Sequence, residues 1–324
     1  MTASKIHRLD GLEPDNLLAF LALLGSMRAI DNARPEWRVR ASWTTDAPPL
    51  RPCLHLAQAV DREALSAQIA VGVDALAKTH EFGGRPDLNF DQGECRQLLH
   101  GAARSASRHD RASADLMAAL MHDAAIKDNK AGSVDPTPLC LLFGQGHQHF
   151  LERLAAVPRL AAPPPRGRGK QAVQPTPAQA LEEALFEVWE RQDPTPSFRW
   201  DPGEDVRYAT MGGDPTDPAF KTGTQHGANR LAAVGLPLLR LAAQARGGRV
   251  RPVIVAGHRD AEGFALAWPI WRQPATLAGI TALLTHPDLH SPRGLAHLGV
   301  VEVLVARRIS VGKFMNFTRA RPRD

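Results

Sequence analysis

A pair of histidines two residues apart is the first pattern in the sequence that could bind a ligand. His147 and His149 lie in "FGQGHQHFLERL", where a glycine-containing turn follows an apolar stretch and precedes a helical pattern. Backbone N–H groups at such a turn can face an anion at the helix N-terminus. The glycine spacing and the missing lysine do not fit a dinucleotide-binding fingerprint or a P-loop. Three interpretations therefore stay open: a structural turn, a polar or anion contact, and a metal site whose other ligands are not nearby in sequence.

A second pattern is the adjacent pair His122 and Asp123, which follows an apolar helical stretch. The pair resembles the central motif of HD-type metal-dependent phosphohydrolases, in which neighbouring His and Asp side chains share a metal ion that activates water. That family also needs an upstream His and a later Asp, and His100 and Asp135 could serve. Because two adjacent residues match easily in a chain with 13 histidines, this enzyme is an alternative to a binding function.

The C-terminal stretch "RRISVGKFMNFTRARPRD" carries six basic side chains between Arg307 and Arg323 and no acidic one. Its alternation predicts a β-hairpin that turns near Gly312, with Phe and Val facing a core and Arg and Lys facing solvent. An extended basic ribbon can follow a phosphate backbone without reading base sequence. Alternatively, the charges only keep a sheet edge from pairing with another chain. The candidate phosphate-binding residues here are Arg307, Arg308, Lys313, Arg319 and Arg321.

The overall composition is that of a soluble globular protein with a moderate positive charge. The chain has 324 residues, 44% of them hydrophobic and 23% charged, and a formal net charge of +5. Its three cysteines are far apart, which favours a reducing compartment and argues against a structural zinc site. The longest apolar run is about half of the ~20 residues that cross a bilayer. We therefore expect a cytoplasmic protein with no membrane span and no cofactor.

Hydrophobic periodicity predicts an α+β fold of mixed helices and short antiparallel sheets. Helical patterns are interspersed with apolar strands, but without the regular alternation of a parallel βαβ sheet. We expect a C-terminal β-hairpin over 299–319. The other predicted helices cover 61–79, 91–106, 111–127, 177–192, 225–245 and 274–285. The other predicted strands cover 251–257 and 263–269.

A segment rich in proline, glycine and basic residues divides the chain. Residues 158–179, "PRLAAPPPRGRGKQAVQPTPAQ", contain no acidic residue and few large apolar ones. Such a composition buries little apolar surface, so it predicts a linker or a mobile loop. It would separate an N-terminal α+β region, 1–157, from a C-terminal α+β region, 180–324.

Small residues open the predicted helix in "HGANRLAAVGLPLLRLAA". Gly227 and Ala228 would allow another backbone to come close. That backbone could belong to a neighbouring strand or to a nucleic acid, in which case Asn229 and Arg230 would contact it.

Six phrases spread over nearly the whole chain are similar to a group of CRISPR-associated proteins. They are "GLEPDNLLAFLALLGSMRA", "PTPLCLLFGQGHQHFLERL", "FRWDPGEDVRYA", "GANRLAAVGLPLL", "FALAWPIW" and "VGKFMNFTRARP". The group comprises large-subunit-like components of type I-U systems, now called type I-G. The resemblance implies a non-enzymatic subunit of an RNA-guided effector complex in antiviral defence.

The resemblance also implies partners: guide RNA, target DNA and other effector subunits. The candidate nucleic-acid contacts within the matching phrases follow from side-chain chemistry, since Arg can clamp phosphate or pair with guanine and Asn can pair with adenine. A protein-only scaffold is the third hypothesis beside the binding subunit and the phosphohydrolase. The candidate residues in these phrases are His147, His149, Arg199, Arg207, Asn229, Arg230, Lys313, Arg319 and Arg321.

Overall fold

The structure is a computed structural model, and it confirms the α+β class. Helices occur mainly in the first two thirds of the chain, and the longest strands lie in the last third. All pairings between strands are antiparallel. The described residues are 2–108, 111–127, 132–141, 149–167, 169–204, 223–246, 248–291, 294–311 and 314–323.

The helices begin where polar side chains can cap them. Asn16, Asp61, Asp91 and Thr176 each accept hydrogen bonds from backbone N–H groups of the first helical turn, which satisfies donors that lack intrahelical partners. None of the helices in the described ranges has both the length and the apolarity needed to cross a membrane. The helices are α1 (Leu17–Ala33), α2 (Arg62–Ala77), α3 (Gln92–Ala106), α4 (Arg111–Leu120), α5 (Phe150–Arg159), α6 (Pro177–Phe186), α7 (His226–Gly235) and α8 (Leu277–Thr285).

Three predicted helices are too long. The helix predicted over 111–127 ends at Leu120, and the one over 177–192 ends at Phe186, because Glu187 has an extended backbone. The helix predicted over 225–245 ends at Gly235. A 3₁₀ turn containing Pro237 follows it, and the chain then enters a strand. Proline disfavours the continuation of an α-helix, since it lacks an N–H and its ring crowds the preceding turn.

The strands form three antiparallel sheets with the orders β1-β3-β2, β4-β5 and β10-β8-β7-β6. Strand β9 pairs with β8 and confirms the predicted C-terminal hairpin, although its turn at Gly312 lies outside the described residues. The strands are β1 (Ser4–Arg8), β2 (Arg40–Trp43), β3 (Pro52–Val60), β4 (Leu241–Arg246), β5 (Arg249–Ile254), β6 (Gly257–Asp260), β7 (Gly263–Trp271), β8 (Val300–Val311), β9 (Phe314–Phe317) and β10 (Arg321–Pro322).

Helix α1 lies in the centre of the helical layer, and glycines bring its neighbours into backbone contact. A Cβ atom added to Gly25 would lie 1.9 Å from the Leu231 carbonyl oxygen of α7. One added to Gly72 of α2 would lie 2.0 Å from the Ala29 carbonyl oxygen. Only glycine permits these approaches, so α2 and α7 pack against α1 with their backbones in direct contact.

The predicted linker is bound to the rest of the protein. Arg166 donates to both carboxylate oxygens of Asp193 and to Glu183, and its backbone pairs with that of Val173. These contacts do not fit a mobile loop, because they hold the middle of 158–179 against α6 and the chain beyond it. A single hydrophobic core cluster, running from Leu9 to Ala320, also contains residues from both predicted regions.

Candidate nucleic-acid interface

Arginine and phenylalanine alternate across four neighbouring strands of the C-terminal sheet. Arg259 of β6 pairs with Phe264 of β7, and Arg308 of β8 pairs with Phe317 of β9. The guanidinium groups of Arg259 and Arg308 lie 5.7 and 5.8 Å from the centre of the Phe264 ring. Both phenylalanines are buried, so the rings form a base for the two cations and are not available for stacking with a ligand.

A third guanidinium and one carboxylate complete this group. Arg251 of β5 donates to Asp135 at 3.3 Å, and Arg308 donates to the Pro138 carbonyl oxygen at 3.2 Å. Arg251, Arg259 and Arg308 are half-buried and form what we call the arginine cluster. In the described part of the chain, the carboxylate in contact with the cluster is that of Asp135.

The arginines of the cluster repel one another. Burial lowers the pKa of Arg259, and the positive charge of Arg251 lowers it further. Burial likewise lowers the pKa of Arg308, with a further contribution from Arg259, while Asp135 acts in the opposite direction. Asp135, which binds Arg251, raises the pKa of Arg259 as well and so offsets part of this repulsion. The cluster is therefore a half-buried group of like charges that Asp135 balances in part.

The outer part of the C-terminal ribbon is mostly paired within the protein. Arg307 binds Asp260 at 2.9 Å and Glu262 at 2.9 Å. Arg319 binds Glu13 at 2.8 Å and Asp15 at 3.0 Å. The acidic partners of this ribbon therefore come from distant parts of the sequence. Arg321 is exposed, and Lys313 lies outside the described residues.

The predicted division of the ribbon into an apolar and a basic face is wrong. Register places Arg308 opposite Phe317, so a basic and a buried aromatic side chain share one face. Ile309, on the other face, keeps 40% of its surface exposed. Arg308 donates a hydrogen bond to the Pro138 carbonyl oxygen, which satisfies one of its N–H donors at this half-buried position.

Contact with a nucleic acid would require Asn229 and Arg230 to lie on the surface of the protein, but they do not. Both are completely buried. Arg230 donates to the carbonyl oxygens of Pro158 and Ala161 and forms an ion pair with Asp74 at 2.6 Å. Basic donors at the C-terminal end of a helix satisfy its unpaired carbonyl groups, and Arg230 does so for α5.

Gly227 allows helix α7 to pack closely against a neighbouring helix. A Cβ atom added to it would lie 2.2 Å from the Ala180 carbonyl oxygen. The close neighbour is therefore helix α6, neither the strand nor the nucleic acid considered from the sequence. His226 adds a hydrogen bond to the Leu160 carbonyl oxygen at 2.7 Å. The start of α7 is therefore hydrogen-bonded to the residue that follows α5.

Four other residues were predicted to bind nucleic acid, and among the described residues none is seen in contact with the arginine cluster. His149 precedes α5 and lies 3.0 Å from the Asp87 carboxylate. Arg199 has a left-handed backbone with φ of 61°. Burial lowers its pKa, while the nearby Glu204 raises it. His147 and Arg207 lie outside the described residues.

A buried carboxylate pair lies beside Arg199. Asp201 is fully buried and accepts hydrogen bonds from Arg191 and Asn16. Glu204 accepts a hydrogen bond from Ser197 at 2.6 Å, while its other oxygen is buried without a partner. Burial, together with the charge of Asp201, raises the pKa of Glu204 to about 8.

The residues of the phosphohydrolase hypothesis are engaged in ion pairs. Asp123 binds Arg96 at 3.0 Å, with His122 at 3.5 Å from the same carboxylate. Asp135 binds Arg251 in the arginine cluster. Among the described residues, no three His, Cys, Asp or Glu side chains are arranged to hold a metal ion.

Sequence reasoning identified Arg308 of the cluster and missed Arg251 and Arg259. The available signal was the alternation in "RVRPVIVAGHRD", which places basic residues at intervals on two successive strands. That pattern alone does not show that both strands lie beside β8. The chain matches no protein-family model, no curated protein and no solved structure.

Proposed function

We propose that this protein binds nucleic acid through backbone phosphates, as a non-enzymatic subunit of a CRISPR RNA-guided effector complex. Its partners in this proposal are guide RNA, target DNA and the other effector subunits. Its place of action is the cytoplasm. The observation that carries the proposal is the arginine cluster on the C-terminal sheet.

The cluster supports phosphate binding in two ways. First, the guanidiniums of Arg259 and Arg308 are fixed over the Phe264 ring, and fixed guanidiniums lose little side-chain entropy on binding an anion. Second, the like charges of neighbouring arginines lower the pKa of both Arg259 and Arg308, so a bound phosphate would reduce this repulsion. Such contacts position a nucleic acid but carry no sequence information.

Fluorescence anisotropy of the full chain with RNA, single-stranded DNA and duplex DNA tests the proposal. The variant would combine Arg251→Gln, Arg259→Gln and Arg308→Gln. A matched control changes the exposed residues Arg38, Arg40 and Arg104 to Gln, which removes the same charge elsewhere. Thermal unfolding of both variants shows whether each remains folded.

We expect affinity to fall steeply with salt between about 50 and 200 mM. In the cluster variant, the slope of log K against log salt should decrease by about 2 to 3, since each lost phosphate contact removes about one unit. The control should lose much less. Equal losses in both variants would show that only net charge matters, and an unchanged slope in the cluster variant would refute the proposal.

A further inference from the structure

A cavity of about 350 Å³ lies between the end of α6 and the start of α7. Its volume is within the range of ligand-binding cavities. The backbones of Asp193 and Thr224 exchange two hydrogen bonds, at 3.1 and 2.8 Å, and this pairing brings the chain that follows α6 beside the start of α7. The cavity wall includes Arg166, Glu183, Glu187, Val188, Glu190 and Gln225, and we call it the Gln225 cavity.

The described wall of the cavity carries more negative than positive charge. Its guanidinium, that of Arg166, lies 2.6 Å from Glu183 and 2.8 Å from the buried Asp193, so two carboxylates already share it. Glu187 and Glu190 are exposed, and neither forms an ion pair with a described residue. Because the charges of these two carboxylates are not balanced, the cavity attracts a cation and repels a phosphate.

A buried amide is a second and independent sign of a ligand. Only 5% of the Gln225 surface is exposed, yet its side-chain amide makes no hydrogen bond with a described residue. The hydrogen bonds that Gln225 accepts from Asn229 end on its backbone oxygen. The amide forms part of the cavity wall and is not sealed off from it. An amide that is buried without a partner costs free energy, and a ligand in the cavity can reach this one.

The position of Asp193 explains why the Gln225 amide is unused. Gln225 precedes the first residue of α7, where a side chain commonly accepts a hydrogen bond from the first helical turn. Here the Asp193 carboxylate accepts from the His226 N–H at 3.2 Å, and its negative charge faces the positive end of the helix. The Gln225 side chain makes no capping hydrogen bond and is left to the cavity.

The groups of the wall fit a guanidinium better than an ammonium. The acceptors are the carboxylates of Glu187 and Glu190 and the amide oxygen of Gln225. A guanidinium carries five N–H donors in a planar fork, whereas an ammonium carries three and is more strongly hydrated. A guanidinium can therefore serve several acceptors at once and loses less hydration on entering the cavity.

The rim of the cavity suits a side chain that enters from outside. Val188 is 85% exposed and forms part of the wall, so it offers apolar surface to the methylene groups that lead to a guanidinium. Its neighbours Glu187 and Glu190 are exposed as well. We propose that the Gln225 cavity binds the side chain of an arginine presented by a partner polypeptide.

Ligand-observed NMR titration of the full chain tests this site with a tripeptide that has a central arginine and blocked ends. The comparison peptide carries citrulline, which keeps the shape of the side chain but has no charge. We expect the arginine peptide to bind at least about tenfold more tightly, because charge-assisted hydrogen bonds are stronger than neutral ones. Methylguanidine lacks the methylene stem and should bind at least about threefold more weakly than the arginine peptide.

Two variants test the wall. Glu187→Gln combined with Glu190→Gln removes two exposed charges and should weaken binding of the arginine peptide about fivefold or more. The matched control, Asp46→Asn with Glu152→Gln, removes the same charge at exposed positions outside the wall and should bind as the unmodified protein does. Gln225→Leu keeps the size of the side chain and removes the amide, so it should weaken binding about threefold or more if its thermal unfolding remains cooperative.

Four results would overturn the inference. They are equal binding of the arginine and citrulline peptides, equal losses in the two charge variants, binding of methylguanidine as tight as that of the arginine peptide, and a folded Gln225→Leu variant that binds as the unmodified protein does. Each would remove one of the groups on which recognition of an arginine side chain depends.

This inference does not rest on the phosphate-binding function. The Gln225 cavity attracts cations, whereas the arginine cluster attracts anions. The Glu187 and Glu190 variant should therefore leave the salt slope for duplex DNA unchanged. The cluster variant should in turn leave binding of the arginine peptide unchanged, so either function can fail alone.

Discussion

Replacing Glu204 with glutamine should flatten the pH dependence of the protein's stability near neutral pH. One oxygen of the Glu204 carboxyl is buried without a partner, and the other accepts a hydrogen bond from Ser197. Burial and the charge of Asp201 disfavour ionisation and raise the pKa of Glu204 from 4.5 to about 8. The folded protein therefore keeps this proton at pH values where the unfolded chain has released it.

The sign and size follow from proton linkage. Between the unfolded pKa of 4.5 and the folded pKa of about 8, the folded state binds one more proton, so the free energy of unfolding falls as pH rises. The slope is about 1.4 kcal/mol per pH unit, or roughly 2 kcal/mol between about pH 6 and pH 7.5. The stabilisation is complete below the unfolded pKa and is lost as pH rises through the folded pKa.

Urea unfolding at several pH values measures the effect. The unmodified protein should lose stability over this interval, and Glu204→Gln should lose about 2 kcal/mol less, because glutamine does not titrate. Glu190→Gln, at an exposed position, is the control and should follow the unmodified protein. Parallel curves for Glu204→Gln and the unmodified protein would refute the assignment of a raised pKa to this carboxyl.

Two further predictions concern packing and a buried ion pair, both measured by urea unfolding. Gly25→Ala should cost about 3 kcal/mol or more, because its Cβ would lie 1.9 Å from the Leu231 carbonyl oxygen. Gly101→Ala, with nothing within 4 Å, should instead stabilise by about 0.5 to 1 kcal/mol, and similar effects at both positions would contradict the geometry. Arg166→Met should cost about 3 to 5 kcal/mol, since it leaves the buried Asp193 carboxylate without its counter-ion. Adding Asp193→Asn should recover part of that loss, and no recovery would show that Arg166 acts through packing alone.

The parts of the fold that sequence predicted well are those that local chemistry decides. Helices α2 and α3 begin after Asp61 and Asp91, whose side chains accept hydrogen bonds from the first turn. The C-terminal hairpin also follows from residues close together in sequence. In both cases the residues that determine the element lie within a few positions of it.

Strand β4 shows where local reasoning fails. Its sequence "LAAQAR" consists of residues that favour helices, and it was predicted as helix. It forms a strand because all six residues pair with β5, and tertiary pairing overrides intrinsic preference. No feature within 241–246 indicates that partner.

The candidate site was predicted in part for the same reason. The basic character of the C-terminal ribbon is evident in sequence, and Arg308 does belong to the arginine cluster. The neutralisation of Arg319 by Glu13 and Asp15 is not evident, because those residues are some 300 positions away. The burial of Arg230 depends in turn on Pro158 and Ala161, which lie in the segment interpreted as a linker.

The proline in α5 has a consequence for the history of this sequence. Pro158 removes a backbone donor, and His80 replaces it at the Leu154 carbonyl. A related chain with another residue at position 158 would supply its own N–H there, and a histidine at position 80 would then lose its partner. Positions 80 and 158 should therefore have been substituted as a pair during evolution, although 78 positions separate them along the chain.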